Sequence, residues 1–599
     1  MILGELADYY GQLLDEGKVG KEGWANEKVS YLVTIDYSGQ VKSIFSIEKE
    51  EERGKRKVLV PDKRMVPIHS GRSGKTPKPY YLCDNAKYLL GVWISSNNQA
   101  SDEKNKKQAG ECFQASAEYH IKMLGNSEDK IAQSICSFFK TWDFDKNKDI
   151  FQVNWKEIEK ANLVFRSYET SKEILANEEV RNIWNSSYVD SEGACIRRCL
   201  VSGKLAQVAR LHPQFKGIQG ANSSGAMLVS FNGSAFESYG KEQGDNAPVC
   251  QEVANAYGQA LNYLLSDSGH HRQIGDATTV FWAKTEKSES AYVDFMSQLL
   301  DGEDENKEDK LLLAMSRIAA GEQAGYLETE LNPDVPFYIL GLSPSVARIS
   351  IRFFYSGTFG KMISNIQEHY KRMEIESPVF EKKKFPSIRE LLYETVNKKS
   401  TKKQPQPVLS GALMRAVLEN RPYPAGVYNN MMLRIHSERK VNRNRAAFIK
   451  AYIIKNFTNK KEAADTMKLN EDTEYVPYVL GRLFETLEEI QFQAIDKETV
   501  KERYFNSAST TPSVVFPQML RLANSHLNVL KRDKKGMHIK LEKQLSGLCN
   551  KIHSTFPKYL SLEDQGIFML GYYHQQQERF SKNENKKEDN KENIKEQED

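Results

Sequence analysis

Two hydrophobic periodicities follow one another at the start of the chain. Apolar side chains in residues 2–14 recur every three to four positions, which predicts an amphipathic helix. Val29, Tyr31, Val33 and Ile35 then fall on alternate positions, and residues 41–47 supply a second strand after the turn-forming segment 36–39. The pattern therefore predicts a helix followed by a β-hairpin.

The middle of the chain mixes helical and strand patterns. Residues 251–265 place their apolar side chains on one helical face. Strands are predicted at 227–231, 278–282, 337–342 and 346–354. Because side chains alternate between the two faces of a strand, Arg348 and Arg352 are expected on the face opposite the apolar side chains of the last strand.

Beyond residue 400 the pattern is helical almost throughout. The stretch 395–408 is basic and contains two prolines, which indicates a domain boundary. Residues 474–580 contain about four amphipathic segments with short connections. Short connections between amphipathic helices are typical of a helical bundle.

The sequence thus predicts an α+β protein in four parts. The parts are a large mixed body with short β-sheets (1–400), a basic helical connector (401–470), a C-terminal all-α helical bundle (471–580) and a charged tail (581–599). The tail has low complexity and no residues to bury, so we expect it to be disordered.

Composition narrows the class of protein further. Of the 599 residues, 40% are hydrophobic and 27% are charged, and the formal net charge is +4, as in an ordinary globular chain. No apolar run approaches the length of a transmembrane helix, and the acidic first segment is unlike a signal peptide. The seven scattered cysteines suit reduced thiols, so we expect a cytoplasmic protein.

Motifs for catalysis are weak. The sequence has no P-loop, no HExxH zinc motif, no GxSxG nucleophile motif and no kinase signature. Glu237 and Lys241 have the spacing of a nuclease carboxylate–lysine pair, and His270, His271 and Asp276 lie close together in the sequence. A metal-dependent nuclease acting on DNA is therefore kept as an alternative, although we expect no catalytic residue, metal ligand or cofactor.

Positive charge is segregated along the chain despite the near-neutral total. Residues 53–87 contain ten Lys or Arg and two acids, and residues 434–461 contain nine Lys or Arg and one acid. Phosphate contact requires basic side chains, small polar groups and glycines that let the backbone approach closely. The sequence therefore predicts a nucleic-acid groove, with ordinary solvated basic faces as the other explanation.

Two loops, one strand and one helix supply the candidate residues. The first loop is residues 69–87, where Tyr80 and Tyr81 could stack on bases, and the second is the Gly- and Ser-rich loop at 212–232. The loop candidates are Arg72, Ser73, Gly74, Lys75, Lys78, Asn85, Lys87, Lys216, Asn222 and Ser223. Candidates for contact to a nucleic-acid backbone are Arg348, Arg352, Arg434, Arg439, Arg443 and Lys450. Among them, Arg439, Arg443 and Lys450 are predicted to lie on one face of a helix and to form a basic stripe.

Five segments together resemble one known family. They are MILGELADYY at 1–10, RSGKTPKPYYLCDNAKYLLG at 72–91, LVSFNGSAFESYGKEQGDNAPV at 228–249, FYILGLSPSVARISIRFF at 337–354 and LEDQGIFMLGYYHQQ at 562–576. In this order they are similar to the large subunit of the type I-C CRISPR–Cas surveillance complex (Cascade), the Csd-one or Dvulg-subtype large-subunit family. The resemblance covers about residues 1–580.

The resemblance implies a non-catalytic subunit in antiviral defence. Such a subunit recognises the protospacer-adjacent motif in double-stranded DNA, promotes strand separation and R-loop formation, and presents the target to a separate helicase–nuclease. The implied partners are CRISPR RNA, the target duplex, the Cascade backbone and handle-binding subunits, and that helicase–nuclease. An RNA-binding scaffold subunit without motif reading is the remaining alternative.

The resemblance also assigns roles to parts of this chain. The first loop is our preferred motif reader, with Lys216 and Asn222 of the second loop as alternatives. Where many relatives have an Asn-Phe pair before Cys-Asp-Asn, this chain has Tyr80, Tyr81 and Leu82, so a base-reading Asn is not carried over there. The C-terminal helices are similar to the small subunit of related complexes, which can be made separately from an internal start. Met467 is the preferred start, and Met414, Met431 or Met432 would give longer products.

Overall fold

The structure, a computed structural model, alternates helices with short strands and ends in helices. It describes residues 1–53, 56–69, 72, 76–95, 99–189, 195–285, 289–301, 305–326, 329–378, 381, 385–401, 403–553 and 555–595. The chain divides into an N-terminal unit, residues 1–216 and 224–263, and a C-terminal unit, residues 217–223 and 264–599. The boundaries predicted near 400 and 470 lie inside the second unit and stay predictions.

The N-terminal unit contains the predicted first helix and hairpin. Its helices are α1 (Ile2–Asp15), α2 (Ala86–Leu89), α3 (Gln99–Leu124), α4 (Lys130–Thr141), α5 (Phe144–Asn147), α6 (Trp155–Ile158), α7 (Glu178–Val189) and α8 (Gln251–Ser266), the last of which ends in the C-terminal unit. Its strands are β1 (Trp24–Val29), β2 (Tyr31–Ile35), β3 (Val41–Ser46), β4 (Lys49–Arg53), β5 (Arg56–Val60), β6 (Asp62–Pro67), β7 (Cys83–Asn85), β8 (Asn162–Ser167), β9 (Ile196–Arg198), β10 (Leu205–Gln207), β11 (Gln214–Phe215) and β12 (Ala226–Met227).

A sheet with the strand order β3–β2–β8–β7 organises this unit. Strands β2 and β8 are parallel and the other two pairs are antiparallel. Val33, Val164 and Phe165 are buried in its centre, and Ile135 and Phe138 of α4 belong to the same core. Asp129 caps α4 by accepting hydrogen bonds from the backbone of Ile131 and Ala132, which fixes where this helix begins. Strands β1 and β6 form a separate antiparallel pair that leads directly into the first loop.

The C-terminal unit begins with strands and continues as helices. Its strands are β13 (His271–Ile274), β14 (Ala277–Ala283), β15 (Ala324–Tyr326), β16 (Thr329–Leu331), β17 (Pro336–Ser345) and β18 (Arg348–Thr358). Its helices are α9 (Ser290–Asp301), α10 (Glu305–Ala319), α11 (Phe359–Met373), α12 (Ile388–Tyr393), α13 (Leu409–Leu418), α14 (Ala425–Glu438), α15 (Arg443–Asn456), α16 (Lys461–Ala464), α17 (Val476–Ile495), α18 (Thr499–Thr510), α19 (Pro512–Asp533), α20 (Lys535–Asn550) and α21 (Leu562–Lys595). Strands β18, β17, β14 and β13 are consecutive antiparallel neighbours.

Glycines let α21 approach its neighbours closely. A Cβ atom at Gly481 of α17 would lie 2.0 Å from the carbonyl oxygen of Phe568, and one at Gly571 would lie 2.1 Å from that of Tyr478. A Cβ at Gly566 would lie 3.1 Å from side-chain atoms of both Ile449 and Ile453 in α15. Helix α21 therefore packs against both the terminal helices and the helices that precede residue 467.

The predicted α+β class, with short sheets first and helices after, is confirmed. Three details differ. The strand predicted at 227–231 is wrong, because only Ala226–Met227 is extended. Helix α18 was not predicted, since its apolar residues are few. Helix α21 continues to Lys595, where composition predicts a disordered tail; Lys and Glu are good helix formers, and the segment extends an existing helix. Within the described residues, no helix is both long and apolar enough to cross a membrane.

Candidate nucleic-acid interface

The first loop is anchored by a buried ion pair. Arg72 bonds to Asp84 through its guanidinium, and its Nε also donates to the carbonyl oxygen of Lys78 at 2.7 Å. Asp84 is 1% exposed and accepts two further hydrogen bonds, from the backbone N–H groups of Tyr80 (2.8 Å) and Asn85 (2.7 Å). Burial raises the pKa of Asp84, and Arg72 opposes the shift. Residues twelve positions apart are thus held together across the loop.

Aromatic rings reinforce this anchor. The Arg72 guanidinium lies 3.8 Å from the ring centroid of Tyr80 and 3.9 Å from that of Tyr88, so it is held between two rings. On its other side Tyr80 stacks on His69, with centroids 4.1 Å apart. Tyr81 is buried and donates to the carbonyl oxygen of Val180. Tyr81 is therefore inside the protein, and the half-buried Tyr80 has Arg72 and His69 against its ring, so neither tyrosine presents an open face for base stacking.

His69 and Lys216 extend the site. Burial lowers the pKa of His69 to about 4, and Arg72 and Lys216 add to the shift, so His69 is neutral at physiological pH. Burial raises the pKa of Glu27, whose carboxylate lies 4.0 Å from His69 Nδ1, and Lys216 lowers it in part. Lys216 itself is exposed. Lys216, which the sequence places in the second loop, thus acts electrostatically on His69 of the first loop and on Glu27.

The remaining candidates of the first loop divide by exposure. Asn85 is half-buried, and its side chain caps α2 by accepting from the backbone N–H of Lys87 at 3.1 Å. Lys78 is exposed and Lys87 is half-buried. Ser73, Gly74 and Lys75 lie outside the described residues. Arg72 and Asn85 therefore stabilise the structure of the loop. Lys78 is a cation of this loop that is exposed to solvent.

One pair of cations was missed by sequence analysis. Lys28 of β1 lies directly opposite Lys63 of β6 in the strand register, and both are exposed. Like charges opposite each other on a pair of strands repel, and an anion relieves the repulsion. The pairing joins residues from distant parts of the sequence, so no local pattern could reveal it.

The polar candidates of the second loop are exposed and lie outside any helix or strand. Asn222 and Ser223 belong to the C-terminal unit and both are exposed. Gly217 and Gly220 near them have φ values of 89° and 84°, which only glycine adopts readily. Gln219 donates its backbone N–H to the Thr278 hydroxyl at 3.2 Å. The loop has the exposed polar groups and backbone geometry that a phosphate contact requires.

The prediction for Arg352 needs correction. Its Nε donates to Asp276 Oδ2 at 2.9 Å, and its Nη2 donates to the Ser343 hydroxyl at 3.1 Å, while Ser410 donates to the other oxygen of Asp276 at 2.6 Å. Burial would raise the pKa of Asp276, but these hydrogen bonds outweigh it and lower the pKa. A bulge in the β17–β18 register interrupts the expected alternation here. Arg352 is therefore an internal bridge, whereas Arg348 is half-buried.

The stripe predicted within 434–461 does not form on one helix. Helix α14 ends before Arg439, whose φ of 50° is left-handed, and α15 begins only at Arg443. Arg443 and Lys450 are 6% and 1% exposed. Arg443 pairs with Glu381 at 3.3 Å, and Lys450 donates to the carbonyl oxygen of Glu374 at 2.6 Å. The stripe prediction is wrong, because Arg439 lies outside α15 and internal packing buries Arg443 and Lys450; Arg434 and Arg439 are half-buried.

Arg445 shows the same internal use of positive charge. It is 1% exposed, and its guanidinium donates to Glu394 at 2.8 Å, to Glu438 at 2.7 Å and to the carbonyl oxygen of Lys440 at 3.0 Å. The two carboxylates come from α14 and from the residue after α12. Arg445 therefore fixes these helices to α15.

The residues considered for a nuclease also have internal partners. Glu237 accepts a hydrogen bond from the backbone N–H of Gln243 at 3.3 Å. His270 lies between Asp267 (3.1 Å) and Glu289 (3.2 Å). Burial lowers the pKa of His270, but the two carboxylates outweigh it and raise the pKa to about 9. Among the described residues, no group of three His, Cys, Asp or Glu side chains is placed to hold a metal ion.

The geometry defines an α+β protein with a basic loop in its N-terminal unit, in which Asp84, Tyr80 and Tyr88 hold Arg72. Residues 6–580 match the family described as CRISPR-associated protein (Cas_Csd1), so the chain belongs to that family. It is the family of the type I-C Cascade large subunit, and the resemblance found in the sequence is confirmed. A search of curated proteins gives no match.

Proposed function

We propose that this chain reads the protospacer-adjacent motif in double-stranded DNA and starts strand separation for an RNA-guided complex. Membership of a Cascade large-subunit family supports an assembly of this kind. In such assemblies the guide RNA reads the target by base pairing, so a protein subunit needs only a short duplex-reading element and backbone contacts. The proposed role is non-catalytic, and a separate helicase–nuclease cuts the target.

The observation that carries this proposal is the anchoring of Arg72 to the described part of the first loop. A buried carboxylate, an arginine held between two rings and a capped short helix hold Arg72 and residues 78–88 together before any ligand binds. A loop of this kind loses little conformational entropy on binding, which favours precise contact with a duplex. Lys78 is exposed on this loop, and Lys216 lies near its base.

The candidate residues divide into two roles. In the N-terminal unit, Lys78, Lys87, Lys216 and the Ser73–Lys75 segment contact the DNA near the motif. In the C-terminal unit, Asn222 and Ser223 are separate candidates for DNA contact. Arg72 and Asn85 position the loop instead of reading a base. Lys28 and Lys63 contact phosphates of the adjoining duplex, and half-buried Arg348, Arg434 and Arg439 remain candidates for the separated strands.

The remaining partners follow from the same proposal. CRISPR RNA and the backbone and handle-binding subunits hold the chain in the complex, and the helicase–nuclease is recruited after target binding. The helices from α17 onward act as a small-subunit-like part, and a separate product begins at Met467.

A binding assay on the assembled complex tests the proposal. We expect the complex to select a short motif from a library of duplexes with randomised sequence beside the target. The Lys78→Ala and Lys216→Ala variants should each weaken binding, while Lys130→Ala, an exposed lysine of α4, serves as the matched control. Motif-independent binding by the wild-type complex would instead indicate a scaffold that binds RNA and DNA without reading a motif.

A further inference from the structure

An unusual turn lies in the N-terminal unit between residues 238 and 241. The backbone N–H of Lys241 donates to the carbonyl oxygen of Ser238 at 3.1 Å. The two central residues, Tyr239 and Gly240, have φ values of 55° and 67°. Left-handed φ at both central positions is the pattern of a type I′ turn, where Asn, Asp and Gly are the favoured residues. A tyrosine at the first central position is strained by its Cβ.

The ring of this tyrosine is also almost entirely in water. Tyr239 is 99% exposed, although a tyrosine ring is a large apolar surface that folding ordinarily covers. Both its backbone conformation and its exposure are therefore unfavourable for the isolated fold. Strain that persists in a folded protein is commonly retained for function.

The surrounding loop holds the turn in place. Asn246 accepts from the backbone N–H of Ser238 at 3.0 Å and donates to the carbonyl oxygens of Lys241 (3.0 Å) and Gln243 (3.1 Å). The backbone N–H of Gly244 donates to the carbonyl oxygen of Arg210 at 3.0 Å. Hydrogen bonds on both sides of Tyr239 thus hold the backbone of the turn.

The neighbours of the ring favour a nucleobase as its ligand. Ser238, Gly240 and the half-buried Lys241 are its neighbours in the sequence, so small residues and a cation lie next to the ring along the chain. Base stacking requires one accessible ring and a nearby positive charge for the phosphate, and the proposed function supplies bases that lose their pairing partner. Phe236, three residues earlier, is 47% exposed and is the adjoining aromatic side chain on the same loop.

We propose that Tyr239 stacks on a nucleobase of the target DNA that loses its pairing partner when the duplex opens, and that Lys241 contacts the adjacent phosphate. This inference rests on the proposed function, because it needs a duplex that the complex opens. Stacking is tolerant of base identity, so Tyr239 contributes to strand separation and not to the choice of motif.

The decisive variant is Tyr239→Asn. Asparagine tolerates the left-handed conformation and has no ring, so the variant should unfold at a higher temperature than wild type and yet bind DNA more weakly. We expect a loss of roughly ten- to a hundredfold in affinity of the assembled complex for motif-bearing duplex. Tyr239→Trp should retain binding. Tyr168→Asn, at a tyrosine 60% exposed in the same unit, is the matched control.

A fluorescence readout identifies the stacked base. Duplexes carry 2-aminopurine at successive positions beside the motif, and we expect quenching at one position in the wild-type and Tyr239→Trp complexes that is absent with Tyr239→Asn. Unchanged affinity and fluorescence in Tyr239→Asn, with motif selection intact, would overturn the stacking inference alone. Ring-dependent quenching without motif selection would support stacking and contradict the proposed function. If Tyr239→Asn folds but fails to assemble, the ring contacts a protein subunit and the inference is wrong.

Discussion

Two segments of this chain carry the same excess of positive charge and use it differently. Residues 53–87 and residues 434–461 each exceed their acids by eight Lys or Arg. In the first segment Lys63 and Lys78 are exposed. In the second, Arg443, Arg445 and Lys450 are buried.

The difference lies in acids and carbonyls supplied from elsewhere in the sequence. Glu394, Glu381 and the carbonyl oxygen of Glu374 lie 51, 62 and 76 residues before the cations that they meet. A buried cation with such partners holds helices together, and it cannot release counterions from DNA. The net charge of a segment therefore does not show whether its cations form a binding surface or pair with acids inside the protein.

The largest expected effect is on the free energy of unfolding when Arg445, a buried cation of the second segment, is replaced. Arg445→Met leaves the carboxylates of Glu394 and Glu438 without their cation, and should lower the free energy of unfolding by about 3–5 kcal/mol. Urea unfolding of the purified chain measures this, with Lys440→Met at an exposed neighbour as the control. A stable Arg445→Met protein with weakened DNA binding would show that the second segment also forms a nucleic-acid surface.

His270 is a buried cation that loses its charge when the pH is raised. Its folded pKa of about 9 exceeds the ordinary value of 6.5, so its stabilising contribution is complete below pH 6.5 and is lost as the pH rises through 9. The shift corresponds to a contribution on the order of 3 kcal/mol. We expect the stability difference between wild type and His270→Gln to shrink over this range, while His271→Gln follows wild type. Parallel pH profiles for wild type and His270→Gln would contradict the charged pair.

Arg72 tests whether a cation in the first segment binds DNA or positions the loop. Lysine keeps the charge but cannot stack between Tyr80 and Tyr88 or reproduce the guanidinium bonds. If Arg72 positions the loop, Arg72→Lys should lower stability by about 2 kcal/mol and weaken DNA binding as much as Arg72→Ala does. Thermal unfolding and DNA titration measure the two effects. Near-normal binding by Arg72→Lys would instead make Arg72 a direct phosphate contact.

The smallest effect on stability is expected at the exposed pair of β1 and β6. The Lys28→Ala, Lys63→Ala double variant should change the free energy of unfolding by less than about 0.5 kcal/mol, because both side chains are in water. It should reduce the slope of log affinity against log salt by about 2, one for each lost phosphate contact. A salt titration of the complex, with Lys130→Ala as control, checks this; an unchanged slope would remove the pair from the interface.

Local patterns predicted the fold well where packing is local. The periodicities of α1, α8, α17 and α19 come from neighbouring residues that share one face, and the β2–β3 hairpin joins strands that are adjacent in the sequence. Helix α18 escaped prediction because its apolar residues are few and its partners lie on other helices. Arg439 has a left-handed conformation and ends α14, so the predicted helical stripe does not form. A non-glycine residue in that conformation has no clear sequence signal, so this helix end was not predicted.

The candidate site was harder to predict because its important contacts join distant residues. The sequence located the first loop and its cations, but it did not show that Asp84 would hold Arg72 or that Asn85 would cap a helix. It also did not show the register that places Lys28 opposite Lys63. The motif FESYGK was noted as part of the resemblance, yet the strain at Tyr239 is visible only in the backbone angles.

The close packing at Gly566 has a consequence for any shortened product. Tyr428 donates to the carbonyl oxygen of Leu562 at 2.8 Å, and Ile449 and Ile453 lie against the glycine, so residues before position 467 cover one side of α21. A polypeptide translated from Met467 would retain α17 to α21 without this cover. It would expose an apolar strip to water, and its solubility would depend on finding a surface on another chain to replace the missing helices.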